Sequence, residues 1–164
     1  VRPPRPVILS ALIIVGLTGI PPAEADVSGS AINGTFTAVS DGVWAKTNEK
    51  VDERPTVTAV WTITSMCSSA FDCTGQISSN QGWTAELRYL SGHWRARHTI
   101  AAWQFCPDGS TAPGRQDYTF WPARANDYAA DVLTGWDETV APSGSCGINR
   151  SLTIRMPLRL TRIG

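Results

Sequence analysis

Three kinds of signal are missing from this 164-residue chain. Beyond residue 25 no stretch carries apolar residues at helical spacing, which argues against a helical core. No run of basic residues occurs, and 14 Lys+Arg balance 14 Asp+Glu, so there is no electrostatic case for binding nucleic acid or an anionic membrane. Phosphate loop, dinucleotide fingerprint, calcium loop, internal repeat and low-complexity tract are all absent. No cofactor or metal is expected. The four cysteines include no C-x-x-C, and the histidines lie away from them, so a zinc site fails on spacing. His93 and His98 are five apart on one extended stretch, point to opposite faces and cannot share a metal.

The first 25 residues read as an address. Arg2 and Arg5 precede an apolar run from Val7 to Ile20, Pro21-Pro22 break it, and Ala23-Glu24-Ala25 supplies a small-residue cleavage site. The run falls short of the roughly 20 residues that a membrane-spanning helix needs, and no stop-transfer pattern follows. Residues 1–25 are therefore expected to be a secretory signal peptide, residues 26–33 a small, polar, flexible leader, and residues 34–164 a single all-β domain with no integral span. Removing Arg2, Arg5 and Glu24 leaves 12 Lys+Arg against 13 Asp+Glu, a nearly neutral secreted or envelope protein.

The centre of the pattern is Trp83 to Trp103, two alternating segments around Ser91-Gly92. A two-residue turn sets Tyr89 opposite Trp94, Leu87 opposite Ala96, Ala85 opposite His98 and Trp83 opposite Ile100 on one face. Glu86 meets Arg97 on the other. A slip of one residue would throw Tyr89 and Trp94 onto opposite faces, so the pattern specifies the register.

Around this hairpin the sequence predicts strands over 35–40, 56–66, 74–79, 117–123, 128–136 and 151–160, with a further possible strand over 43–47. The β-branched density of Thr56 to Met66 speaks against a helix there. Asn48 to Pro55 reads as a charged loop, and Cys106-Pro107-Asp108-Gly109 opens a loop running to about Arg115. The whole predicts an antiparallel meander of about seven to nine short strands. Such a meander closes or partly closes into a barrel, which removes the edges of so aromatic a sheet, or folds as a β-sandwich.

Four cysteines in an exported chain imply two disulfides. Connections in a meander alternate between the ends of the sheet, which puts Cys67 and Cys73 at one end and Cys106 and Cys146 at the other. Only the pairing Cys67–Cys73 with Cys106–Cys146 needs no thiol to cross the fold.

Seven Trp in so short a chain either fill a small barrel or build a recognition surface. The candidate ligand-binding residues are Trp61, Trp83, Tyr89, Trp94 and His98, on the aromatic face of the central hairpin. Asp131, Asp137 and Glu138 fall near expected loop ends and read as solvated turn residues. Gly144-Ser145-Cys146-Gly147 lacks the strand-to-helix elbow of a nucleophile, and its cysteine is spoken for. No catalytic constellation is assigned.

Val43-Trp44-Ala45-Lys46-Thr47-Asn48, Trp61-Thr62-Ile63-Thr64-Ser65 before Cys67, Gln81-Gly82-Trp83 and Cys106-Pro107-Asp108-Gly109 together carry a resemblance. Over roughly residues 34–164, and in its four-cysteine layout, the chain resembles small secreted proteins of mycobacteria and related actinobacteria. The resemblance implies export to the envelope or medium and carries no activity. The leading expectation is a non-enzymatic binding module for a small apolar, lipid-like or sugar-like ligand, or for an envelope protein. The alternatives are a small hydrolase or isomerase using His98 with a carboxylate in a barrel mouth, and a protein–protein adaptor with an exposed Trp patch.

Overall fold

Period-two alternation becomes strand pairing almost throughout the computed structural model, which describes residues 30–127 and 131–164. The strands are β1 (Gly34–Ser40), β2 (Lys46–Thr47), β3 (Lys50–Val51), β4 (Val57–Ser69) and β5 (Asp72–Ser79). They continue as β6 (Thr84–Leu90), β7 (His93–Phe105), β8 (Thr111–Pro122), β9 (Val132–Ala141) and β10 (Leu152–Arg162). Neighbours pair antiparallel in the order β1-β4-β5-β6-β7-β8-β9-β10, and β1 returns to β10. Eight strands thus close into a barrel, and the sandwich alternative is set aside. β10 pairs with β1 along Leu158–Arg162 and, further down the same edge, takes the two-stranded ribbon β2–β3 at Ile154 and Arg155.

One end of the barrel, here the upper end, carries the β4–β5 turn and the Ser91-Gly92 turn. Both turn residues have positive φ, which matches the twist of the strands they join. The β5–β6, β7–β8 and β9–β10 connections lie at the lower end. Cys67–Cys73 bridges β4 and β5 at the upper end, and Cys106–Cys146 ties the two long lower loops together. Both pairings match the meander argument.

The interior is filled by Phe36, Trp61, Ile63, Ile77, Leu87, Trp94, Phe120, Leu133, Leu158 and Leu160, each almost wholly buried. Phe36, Trp61 and Trp94 alone bury several hundred square ångströms, a large favourable contribution at about 25 cal/mol per Å².

Several sequence expectations shift. Residues 30–33, part of the stretch read as a flexible leader, are tied to the barrel. Ile32 is buried, its N–H donates to Ser65 Oγ at 2.8 Å, and the Ser65 N–H donates to Asn33 Oδ1 at 2.6 Å. Trp94 Nε1 also donates to the Ser30 carbonyl at 3.0 Å. The signal peptide assigned to residues 1–25, and the rest of that leader, lie outside the described residues.

Segment 43–47 divides. Asp41 caps the Val43 N–H, and Gly42–Trp44 coil into a 3-10 turn before β2. β8 begins at Thr111, where a loop to about Arg115 was expected, because β7 and β8 continue past the barrel wall as a hairpin. β9 runs ten residues from Val132, so Asp137 and Glu138 lie mid-strand and not beside a loop. The expected start of that strand at residues 128–130 lies outside the described residues.

Candidate functional site

The barrel wall is not uniformly zipped. The β6–β7 ladder runs from Leu90↔His93 through Tyr89↔Trp94 and Arg88↔Arg95 to Leu87↔Ala96, and there it stops. The further pairs expected from the sequence, Glu86 with Arg97, Ala85 with His98 and Trp83 with Ile100, do not form. β5 holds β6 as far as Thr84, and β8 holds β7 beyond Thr99. The coiling of the sheet draws the two strands apart below the last shared pair.

A cleft of about 820 Å³ follows this seam. Ala85 and Ala96 lie at its base, with Glu86, Arg88, Arg95, Arg97, Arg115, Asp117 and Glu138 around it. Deprived of Glu86, Arg97 pairs with Asp117, which also accepts from Arg115 Nε at 2.9 Å, while Glu86 turns to Arg88. Arg95 stands directly opposite Arg88 and has no ion-pair partner among the described residues.

Where the strands part, His98 and Tyr118 line the cleft, and further rings pack against them. Trp83, half-buried, lies flat on His98 with centroids 4.2 Å apart and flat over Tyr118 at 5.6 Å. Trp61 meets Trp83 edge-on at 5.5 Å and Tyr118 edge-on at 4.7 Å. Its indole N–H is buried and has no hydrogen-bond acceptor among the described residues. Nearby, the register shift between Ile100 and Gln104 re-aims Trp103 across Gly114. A Cβ at Gly114 would come within 2.7 Å of the Trp103 ring, so glycine is what admits it.

Behind these rings runs a polar chain. Gln116 Nε2 donates to Asp137 Oδ1 at 2.7 Å, and Ser40 Oγ donates to Asp137 Oδ2 at 2.7 Å. With the amide nitrogen committed to the carboxylate, the amide oxygen must face His98 Nε2, 2.8 Å away, and that nitrogen carries the proton. Burial drives the Asp137 carboxyl above its ordinary range, opposed by the Ser40 and Gln116 bonds. Burial also lowers the His98 imidazole, opposed by Gln116 and the Thr99 backbone. Tyr118 is raised far above a free phenol, first by burial and then by the nearby Asp137 charge.

The sequence-derived residues therefore separate. Trp83 and His98 meet at the seam. Trp61 reaches the same ring cluster from inside, whereas Tyr89 and Trp94 pack at the upper end, 5.4 Å apart. His98 and Asp137 join one chain without touching, because a neutral amide stands between them. Asp137, read as a solvated turn residue, is 1% exposed. No motif in the sequence marks Ser40 or Gln116. The alternation that placed Val132, Thr134 and Trp136 on one face puts Leu133, Gly135, Asp137, Thr139 and Ala141 on the other, and would have flagged Asp137 as inward.

No family model matches the chain, and no curated protein matches it. Among solved structures it is similar to the M. tuberculosis PknI sensor domain in its monomer form. That likeness has 16% sequence identity and a TM-score of 0.58, and covers 82% of this chain and 88% of the other. At this identity it concerns the fold alone.

Proposed function

We propose that the protein is an exported, non-enzymatic binding module that seats a sugar-like ligand at the β6–β7 seam, on an aromatic wall of His98 and Tyr118 that the stacked ring of Trp83 supports. The observation that carries this reading is the place where the ladder stops. The cleft that opens there is lined by the rings of His98 and Tyr118 with charged side chains around them, and Trp83 backs the two rings by stacking on them.

A pyranose ring presents just such a pair of surfaces, an apolar face for stacking and a rim of hydroxyls for Glu86, Arg95, Arg97 and Glu138. A lipid tail would need an apolar hollow, yet large side chains occupy the upper interior and the seam is lined mostly by polar groups. Trp61, Tyr89 and Trp94 support the site from within under this reading, and His98 orients Trp83 through its bond to Gln116.

The two disulfides fit an oxidising compartment and hence residues 1–25 as an export signal. Among the described residues no helix is long and apolar enough to cross a membrane. The similar PknI domain is described as a sensor domain, and a sensing role for this chain agrees with a binding site that lacks an evident nucleophile. The hydrolase reading is disfavoured by Gln116, since among the described residues it is this neutral amide and no carboxylate that bonds His98.

Calorimetric titration with an N-acetylglucosamine trimer tests the proposal. The parent is expected to bind and Trp83→Ala to lose binding while remaining folded. Equal binding by the two proteins, or none by the parent, would overturn it.

A further inference from the structure

On the outer wall, with Glu138 between it and the seam cleft, Trp44, Lys46, Trp136, Arg155 and Pro157 line a pocket of about 280 Å³. We infer that this pocket is a second binding site, for an anionic sugar residue such as a uronate. The site does not rest on the reading of the seam, and neither Trp44 nor Trp136 belongs to the buried aromatic core.

The pocket is rigidly mounted. The Asp41 N–H donates to the Pro157 carbonyl at 2.8 Å and docks the 3-10 turn on β10. Gly42 packs so closely that a Cβ there would come within 2.0 Å of the Arg54 carbonyl oxygen. Asn48 exchanges two bonds with the Thr153 backbone, each 2.9 Å, and pins the β2–β3 ribbon beside it. Trp44 is thereby held in place while its side chain stays in water, 68% exposed, and the ring of Trp136 is partly exposed as well. An exposed tryptophan on a fixed mount offers a large contact face at little entropic cost.

The charges identify the class of ligand. Lys46 lies directly opposite Arg155 in the β2–β10 ladder, an arrangement of like charges that costs stability. Neither cation has a carboxylate within ion-pair reach among the described residues. Glu138 faces Arg155 from β9 but makes no ion pair with it, because the guanidinium lies over the Trp136 ring, 4.0 Å from its centroid. An organic cation is disfavoured, since Lys46 and Arg155 both repel it and the face of Trp136 already holds one. An anion between Lys46 and Arg155 relieves their repulsion and gains charged hydrogen bonds. The free face of Trp44 and the ring of Pro157 then supply apolar surface for a flat, polar-rimmed ring.

Digalacturonate is the probe, titrated by calorimetry at low ionic strength into the parent and into Trp44→Ala, Arg155→Gln and Trp83→Ala. The parent is expected to bind. Trp44→Ala and Arg155→Gln should each weaken binding roughly tenfold or more, the size of one lost charged hydrogen bond or ring contact. Trp83→Ala should bind digalacturonate as the parent does, whatever the seam itself takes. Thermal midpoints close to the parent's, expected for the exposed Trp44 and the half-buried Arg155 at the surface, confirm that Trp44→Ala and Arg155→Gln are folded. A parent that takes no digalacturonate, or the two pocket variants binding it unchanged, would overturn the inference.

Discussion

Trp83 stacks on His98 at 4.2 Å, with the ring planes 11° apart, although continuous pairing of their hairpin would set Trp83 opposite Ile100. The two rings lie on one face of the hairpin as a diagonal pair within aromatic reach, just below the point where the β6–β7 ladder stops at Leu87↔Ala96. The cleft that opens where pairing ends is lined by His98 and Tyr118, and Trp83 stacks on both rings.

The two ends of the interior should respond differently to truncation. Trp94 is fully buried and donates a hydrogen bond to the Ser30 carbonyl, so Trp94→Ala is expected to cost roughly 3–5 kcal/mol. Trp83 is only half-buried, and Trp83→Ala should cost less than half as much. Denaturant titration of both variants reads the difference, and equal losses would mean that Trp83 is ordinary core.

Opening the long staple should hurt more than opening the short one. Loop-closure entropy assigns about 2 kcal/mol to Cys67–Cys73, six residues apart, and about 4 kcal/mol to Cys106–Cys146, forty apart. Thermal melts under non-reducing conditions should therefore place Cys106→Ser well below Cys67→Ser. The reverse order would contradict the entropic argument.

The polar chain gives the stability two opposing pH dependences. A carboxyl raised by burial binds its proton more tightly folded than unfolded. The stability that Asp137 contributes when protonated is thus lost as pH rises from its ordinary 3.8 through the raised folded value. His98, lowered by burial, acts in the other sense: the unfolded chain takes up its proton first, and stability falls as pH drops below 6.5. Melting profiles across this range should lose the first slope in Asp137→Asn and the second in His98→Gln. Profiles unchanged in both variants would show that neither group titrates differently on folding.

Much of this architecture was legible in the sequence because alternation and cysteine placement are local or topological facts. The Tyr89↔Trp94 register, the all-β meander and both disulfides followed from them, while full closure was one of two arrangements that the meander allowed. The interrupted ladder did not, since it depends on how β5 and β8 pull β6 and β7 in different directions, a property of the closed sheet. Asp137 was misplaced for a simpler reason. An acidic residue was assigned to the nearest expected loop, although the period of two that runs through Leu133, Gly135 and Thr139 carries it inside. The Trp44–Trp136 pocket joins a turn to two strands that are far apart in sequence, so no single stretch announces it.

The most direct test of the seam is side-chain NMR of the seven tryptophan indole N–H groups during titration with the N-acetylglucosamine trimer. The account predicts saturable shifts at Trp83 and, through ring contact, at Trp61, with Trp44 and Trp136 unmoved. Shifts confined to Trp44 and Trp136, or none at any indole, would contradict it.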